Sequence, residues 1–150
     1  MVTRSLRAAY ALLAWLFLLA LPVQFYLAGL GAFKAQSFDA HAALGSILSL
    51  VTILILILAF AGRVPRPMLK LTALLFVLMV VQNVLAALQD SVKGVAALHP
   101  VNGVLIVGVA IALANRARIF LPIERFRGDA AVPRYADRAP EAEAAGSRSI

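Results

Sequence analysis

Four apolar runs, near residues 8–31, 40–61, 68–89 and 95–115, dominate the chain. Each approaches the roughly 20 residues that a helix needs to cross a bilayer. In lipid, a backbone must satisfy its own hydrogen bonds, which a helix does and an open sheet edge does not. None of the runs shows the apolar/polar alternation of a membrane strand. With 63% hydrophobic residues, 14% charged and a mean hydropathy of +0.92, the chain is far more apolar than a soluble domain. The expected fold is all-α, an integral membrane four-helix bundle. Its connections are short, so consecutive helices should run antiparallel. Pro65 and Pro67 mark the end of one helix and the start of the next.

The formal charge of +7 is unevenly placed. If the N-terminus is cytoplasmic, Arg4, Arg7, Arg63, Arg66, Lys70, Arg116, Arg118, Arg125 and Arg127 all lie inside, and only Lys34 and Lys93 lie outside. The positive-inside rule then puts both termini in the cytoplasm of a prokaryotic, multi-pass cell-membrane protein. The basic balance is read as topology, not as nucleic-acid binding, since no folded soluble part remains to carry a basic face. Cysteine is absent, so disulfides, thiolate metal sites and cysteine nucleophiles are excluded. The first apolar run is longer than a signal-peptide core and is expected to stay in the protein. The transmembrane domain is expected to span 1–118. Ile119 to Arg127 reads as the flank that stops transfer, with an interfacial segment as the other possibility. The tail, 119–150, is rich in Ala, Pro, Arg and Glu beyond Gly128 and is expected to be largely disordered.

The chain also repeats itself. At an offset of 58, the separation of its two histidines, Val23 falls on Val81, Gln24 on Gln82, Leu27 on Leu85, Ala28 on Ala86 and Leu30 on Leu88. His41 falls on His99, Gly45 on Gly103, Val51 on Val109 and Ile53 on Ile111. Leucine matches carry little weight in membrane-like sequence, but Gln, His and Gly are rare there. This is the mark of two tandem helical hairpins, a parallel repeat about a pseudo-two-fold axis along the membrane normal.

The repeat places His41 and His99 at the starts of the second and fourth helices, at matching depth near the outer face. Gln24, Gln82, Asn83, Gln89 and Asn102 fall in the same half of the membrane. Such groups within a membrane default to function, because burying them there is costly. Two facing imidazoles suit the axial positions of a haem iron held in a bundle core. Gly45 and Gly103 each follow a histidine by about one helical turn and would leave room for a flat macrocycle. Gln24 and Gln82 are candidates to orient the imidazoles, and Asn102 shares the face of His99. The same glycines and glutamines also suit plain helix packing. Pro100 leaves the start of the fourth helix open. A start at Pro100 makes His99 a cap, while a start near Val95 places it inside the helix.

Other chemistries find less support. Zinc takes at least three protein ligands, and only Asp39 and Asp90 stand near enough in sequence to join the histidines. No phosphate-binding glycine loop is present, and Ser46 and Ser49 read as packing residues. No catalytic residue is assigned.

The arrangement resembles one four-helix half of the haem A synthases, in which one histidine lies at the outer end of the second helix and another on the fourth. The resemblance spans about residues 8–115 and rests on placement. Phe38 stands where the catalytic half of that family has a glutamate, and the family's outer cysteine pair has no counterpart. The resemblance therefore implies haem b binding and not haem A synthesis. The strings Phe-Asp-Ala-His and Leu-His-Pro-Val-Asn-Gly also resemble a group of small prokaryotic four-helix membrane proteins of unassigned activity. The expected function is a b-type haem protein for electron transfer, with His41 and His99 as metal ligands and a quinone or a redox protein as partner. The alternatives are a structural or accessory subunit, in which homo-oligomers are one possibility, and a quinone or small-molecule pocket without haem.

Overall fold

The computed structural model describes residues 2–121. Helix α1 spans Val2–Ala32, α2 Asp39–Ala61 and α3 Arg66–Ala87. A single turn, α4 at Lys93–Ala96, precedes α5 at His99–Ala117, and a 3-10 turn at Arg118–Phe120 follows. No strand occurs among the described residues. The helices α1, α2 and α3, and the stretch Lys93–Phe120, are each long and apolar enough to cross a membrane. Large apolar side chains cover the outside of the bundle; Leu19, Leu50 and Val104 are each 63% exposed. That surface suits lipid and not water, so the fold is compatible with a multi-pass membrane protein.

Around the bundle the neighbours are α1 with α2, α2 with α3, α3 with α5 and α5 with α1. The diagonal pairs are α1 with α3 and α2 with α5, as duplication of a hairpin about a central axis requires. The core carries the duplication further than the amino acids do. Tyr10, Ala14, Phe17 and Leu21 are buried on α1, and Met68, Thr72, Leu75 and Met79 are buried on α3, each 58 positions later. Leu48, Thr52, Ile55 and Ala59 on α2 stand in the same relation to Ile106, Ala110, Leu113 and Ala117 on α5. All eight positions match, although only Ala59 and Ala117 are the same residue. Packing has kept the positions and exchanged the side chains, as cores tolerate when volume and pattern are held.

The end opposite the histidines is tied by polar contacts. The Tyr10 hydroxyl and Thr72 Oγ1 share a buried 2.8 Å hydrogen bond across the α1–α3 diagonal. Arg7 Nε and Nη2 donate to the Gly62 and Arg63 carbonyls, both at 2.8 Å, which satisfies backbone acceptors left free where α2 ends. The same guanidinium lies 5.4 Å from the centre of the Phe120 ring, which folds back against Tyr10. The beginning of the expected flank thus packs on the bundle; the remainder of the tail lies outside the described residues.

Helices α1 and α2 both end with a left-handed residue and paired return hydrogen bonds. At α1 these are Lys34 N to Gly31 O and Ala35 N to Leu30 O; at α2 they are Arg63 N to Phe60 O and Val64 N to Ala59 O. Lys34 has φ 58° and Arg63 φ 49°, and neither is a glycine. A side chain with a Cβ is disfavoured in this region by roughly 1–2 kcal/mol. Lys34→Gly should therefore raise stability by about 0.5–1 kcal/mol, read as a higher Tm in detergent; an unchanged or lowered Tm counts against this account.

The fourth span departs from a continuous 95–115 helix. Pro100 has no N–H to give to the Ala96 carbonyl, so the helical ladder breaks at Ala97–Leu98 and resumes with Asn102 N bonding Leu98 O. His99 is therefore the first residue of α5, between the two starts that the sequence leaves open.

Candidate functional site

His41 lies in the first turn of α2 and His99 in the first turn of α5, across the unpartnered α2–α5 diagonal. Their ring centres are 6.1 Å apart, with planes inclined by 64°. Both imidazoles are held in the same way. His41 Nδ1 lies 3.1 Å from the Gln24 carbonyl oxygen, and His99 Nδ1 lies 3.2 Å from that of Gln82. A carbonyl oxygen only accepts, so Nδ1 must carry the proton in each ring. Nε2 then keeps its lone pair. This is the tautomer that binds a metal through Nε2 while the other nitrogen is fixed by a second hydrogen bond.

The glutamines thus act through two different groups. Their backbone carbonyls hold the rings, and their side chains brace the helix starts. Gln24 Nε2 donates to the His41 carbonyl at 2.9 Å. Gln82 Oε1 accepts from Asn102 Nδ2 at 2.6 Å, and Asn102 also donates to the Leu78 carbonyl at 2.9 Å. Gln24 Oε1 is buried with no partner, because Leu44 stands where the second copy has Asn102.

The two glycines matched by the repeat receive these amide groups. A Cβ on Gly45 would stand 3.1 Å from Gln24 Nε2, and one on Gly103 would stand 3.6 Å from Gln82 Nε2 and from Phe25 Cζ. Their space is therefore shared between the glutamine side chains and the cavity, which both glycines also line.

That cavity has a volume of about 540 Å³, within the range usual for small-molecule sites. It lies between the histidine-bearing ends of the helices and is walled mainly by residues related through the repeat: His41 with His99, Gln24 with Gln82, Leu48 with Ile106. All seven sequence candidates converge here; six line the cavity, and Asn102 reaches it through Gln82. No group of three or more His, Asp or Glu able to hold a bare metal ion occurs among the described residues.

Two aromatic wall residues are not among the site candidates that the sequence offers. Phe25 follows Gln24 directly and faces Gly103. Phe38, one helical turn before His41, packs edge-on to that ring at 6.1 Å and rests on Gly31, where a Cβ would lie 2.7 Å from it. Their signal was the positions themselves, beside or one turn from a candidate residue; neither aromatic recurs in the second copy, where Asn83 and Ala96 stand instead.

A family model described as a family of unknown function (DUF6220) matches residues 24–89, less than half of the chain. The match begins at Gln24 and includes His41 and Gln82 but not His99, so the likeness covers one histidine of the pair. No curated protein and no solved structure matches the chain.

Proposed function

We propose that the protein is a membrane haem b protein, with His41 and His99 as axial ligands and an electron-carrying role. The observation that carries this reading is the pair of imidazoles, each with Nδ1 committed to a carbonyl and Nε2 left without a protein partner, with ring centres 6.1 Å apart. With ring centres 6.1 Å apart, His41 and His99 are close enough that both would hold one metal centre. Two protein ligands leave a bare zinc ion under-coordinated, whereas a haem iron brings four nitrogens of its own and asks for two. The predominantly apolar walls and the volume suit a macrocycle better than a hydrated ion. A haem so held would supply one-electron chemistry.

The chain's own residues do the rest. Gln24 and Gln82 fix the tautomer and hold the rings in place through their carbonyls. Gly45 and Gly103 keep the helices from filling the site. The arginine end, with Arg4, Arg7, Arg63, Arg66, Arg116 and Arg118, belongs on the cytoplasmic side, which puts the haem in the outer half of the membrane.

The test is a visible spectrum of protein purified in mild detergent from cells supplied with haem precursor. We expect a sharp Soret band and, after dithionite, narrow α and β bands at about one haem per chain. A folded protein that stays colourless through titration with haem overturns the proposal and favours a quinone pocket or a purely structural role.

A further inference from the structure

The two histidines are near-equivalent by the repeat, so on their own they do not decide which way round an unsymmetrical ligand sits. The walls do. The cavity is lined on α2 and α3 by Ser46 and Asn83, and just past the end of α3 by Gln89. Their counterparts in the other copy, on α5 and α1, are Val104, Phe25 and Gly31. Every one of these exchanges replaces a hydrogen-bonding side chain by an apolar one or by none, and all three run in the same direction. Asn83 is held in place from behind: its Nδ2 donates to Ser49 Oγ at 3.0 Å, and Ser49 donates to the Gly45 carbonyl at 2.9 Å. Ser49 itself stands opposite Val107 in the repeat. Ser46, Asn83 and Gln89 are all exposed in the bundle, although Ser46 and Asn83 sit well inside apolar helices. Polar groups so placed are costly against lipid and gain from a polar partner.

We infer that this wall is the subsite for the polar edge of the ligand, so that a haem b is bound in one orientation, with its propionates toward Ser46, Asn83 and Gln89 and its methyl and vinyl groups toward Phe25. This rests on the haem reading above and adds the specificity that the histidine pair lacks. Asn83 offers an amide donor to a carboxylate and Gln89 a second, while the Ser46 hydroxyl, which donates to the Ala42 carbonyl at 3.0 Å, would turn from it to donate a third. Phe25 offers only a ring face and edge, which accept no carboxylate and pack well on an apolar rim.

The experiment compares haem b with its dimethyl ester, titrated into the parent protein, Asn83→Phe, Asn83→Ala and Phe25→Asn, and records haem-methyl proton resonances of each ferric complex. Asn83→Phe installs the residue that the first copy already carries at the equivalent place, and Asn83→Ala serves if the larger ring disturbs folding. We expect the parent to show one dominant set of methyl resonances and to bind haem b about tenfold more tightly than the ester. In both Asn83 variants that preference should disappear and a second set of resonances should grow, while the low-spin spectrum remains. Phe25→Asn should also add the second orientation. A parent with two equal sets, or Asn83 variants with unchanged preference and unchanged resonances, overturns the orientation and leaves the haem reading standing. A parent that takes up no haem at all ends both.

Discussion

Replacing either histidine by alanine is expected to abolish the six-coordinate low-spin spectrum while leaving the protein folded. His41→Ala leaves His99 as a single ligand, and the spectrum should turn high-spin with a broadened, shifted Soret band; His99→Ala should do the same from the other side. The double variant should lose haem by at least a hundredfold in affinity, since both imidazole bonds are removed and no other His, Asp or Glu lines the cavity, which leaves only the Met79 thioether on its wall to meet the iron. The fold should survive because neither ring is in the buried core, and each gives up one hydrogen bond worth about 1 kcal/mol. The Gln24 and Gln82 carbonyls lose only this extra donor, for each lies inside a helix whose own ladder continues past it. Soret spectra and Tm in detergent check both halves. Unchanged spectra in both single variants remove the ligand assignment, and collapse of the fold without any change in a chromophore favours the structural reading of the histidines.

Much of this site is legible in the sequence, and the reason is duplication. The match of His41 with His99 and Gln24 with Gln82 identified which polar residues should meet, because a repeated hairpin has to bring equivalent positions to equivalent depth. What the residues alone did not resolve was which atoms would do the work. The glutamine side chains were the natural choice for orienting the imidazoles, yet the backbone carbonyls do so, and a carbonyl leaves no trace in residue type. The break at Ala97–Leu98 was visible only as an ambiguity around Pro100, since proline is allowed in a first turn and also ends whatever helix runs into it. The ties at the other end have a different cause. Arg7, Tyr10 and Phe120 make contacts between distant segments, and none of these residues recurs in the other copy, where Pro65, Met68 and Gly62 stand. The same holds for Phe25 and Phe38. Comparing the two copies reveals what they share, and so hides what one copy adds.

The glycines test how the shared space is divided. Gly45→Leu should cost at least a hundredfold in haem affinity, and Gly103→Leu a similar amount, with helical content retained in each. A leucine side chain at either place enters a cavity-lining position beside a glutamine amide, and such overpacking typically costs about 1–3 kcal/mol before any lost ligand contact is counted. The alanine pair separates the two glycines. At Gly45 the new methyl would meet Gln24 Nε2 at 3.1 Å, so that the amide must give by a few tenths of an ångström and its bond to the His41 carbonyl is strained, whereas at Gly103 the nearest atoms stand at an ordinary 3.6 Å. Gly45→Ala should thus weaken haem binding several-fold and Gly103→Ala hardly at all. Gly108→Leu is the control, because nothing lies within 4 Å of a Cβ there. Equal effects at Gly45 and Gly108 would show that the loss is a general response of the helices to a bulkier residue. A selective loss at Gly45 and Gly103, spread as 3.1 Å against 3.6 Å predicts, would mean that the repeat keeps glycine at these two places to leave room for both an amide and a ligand.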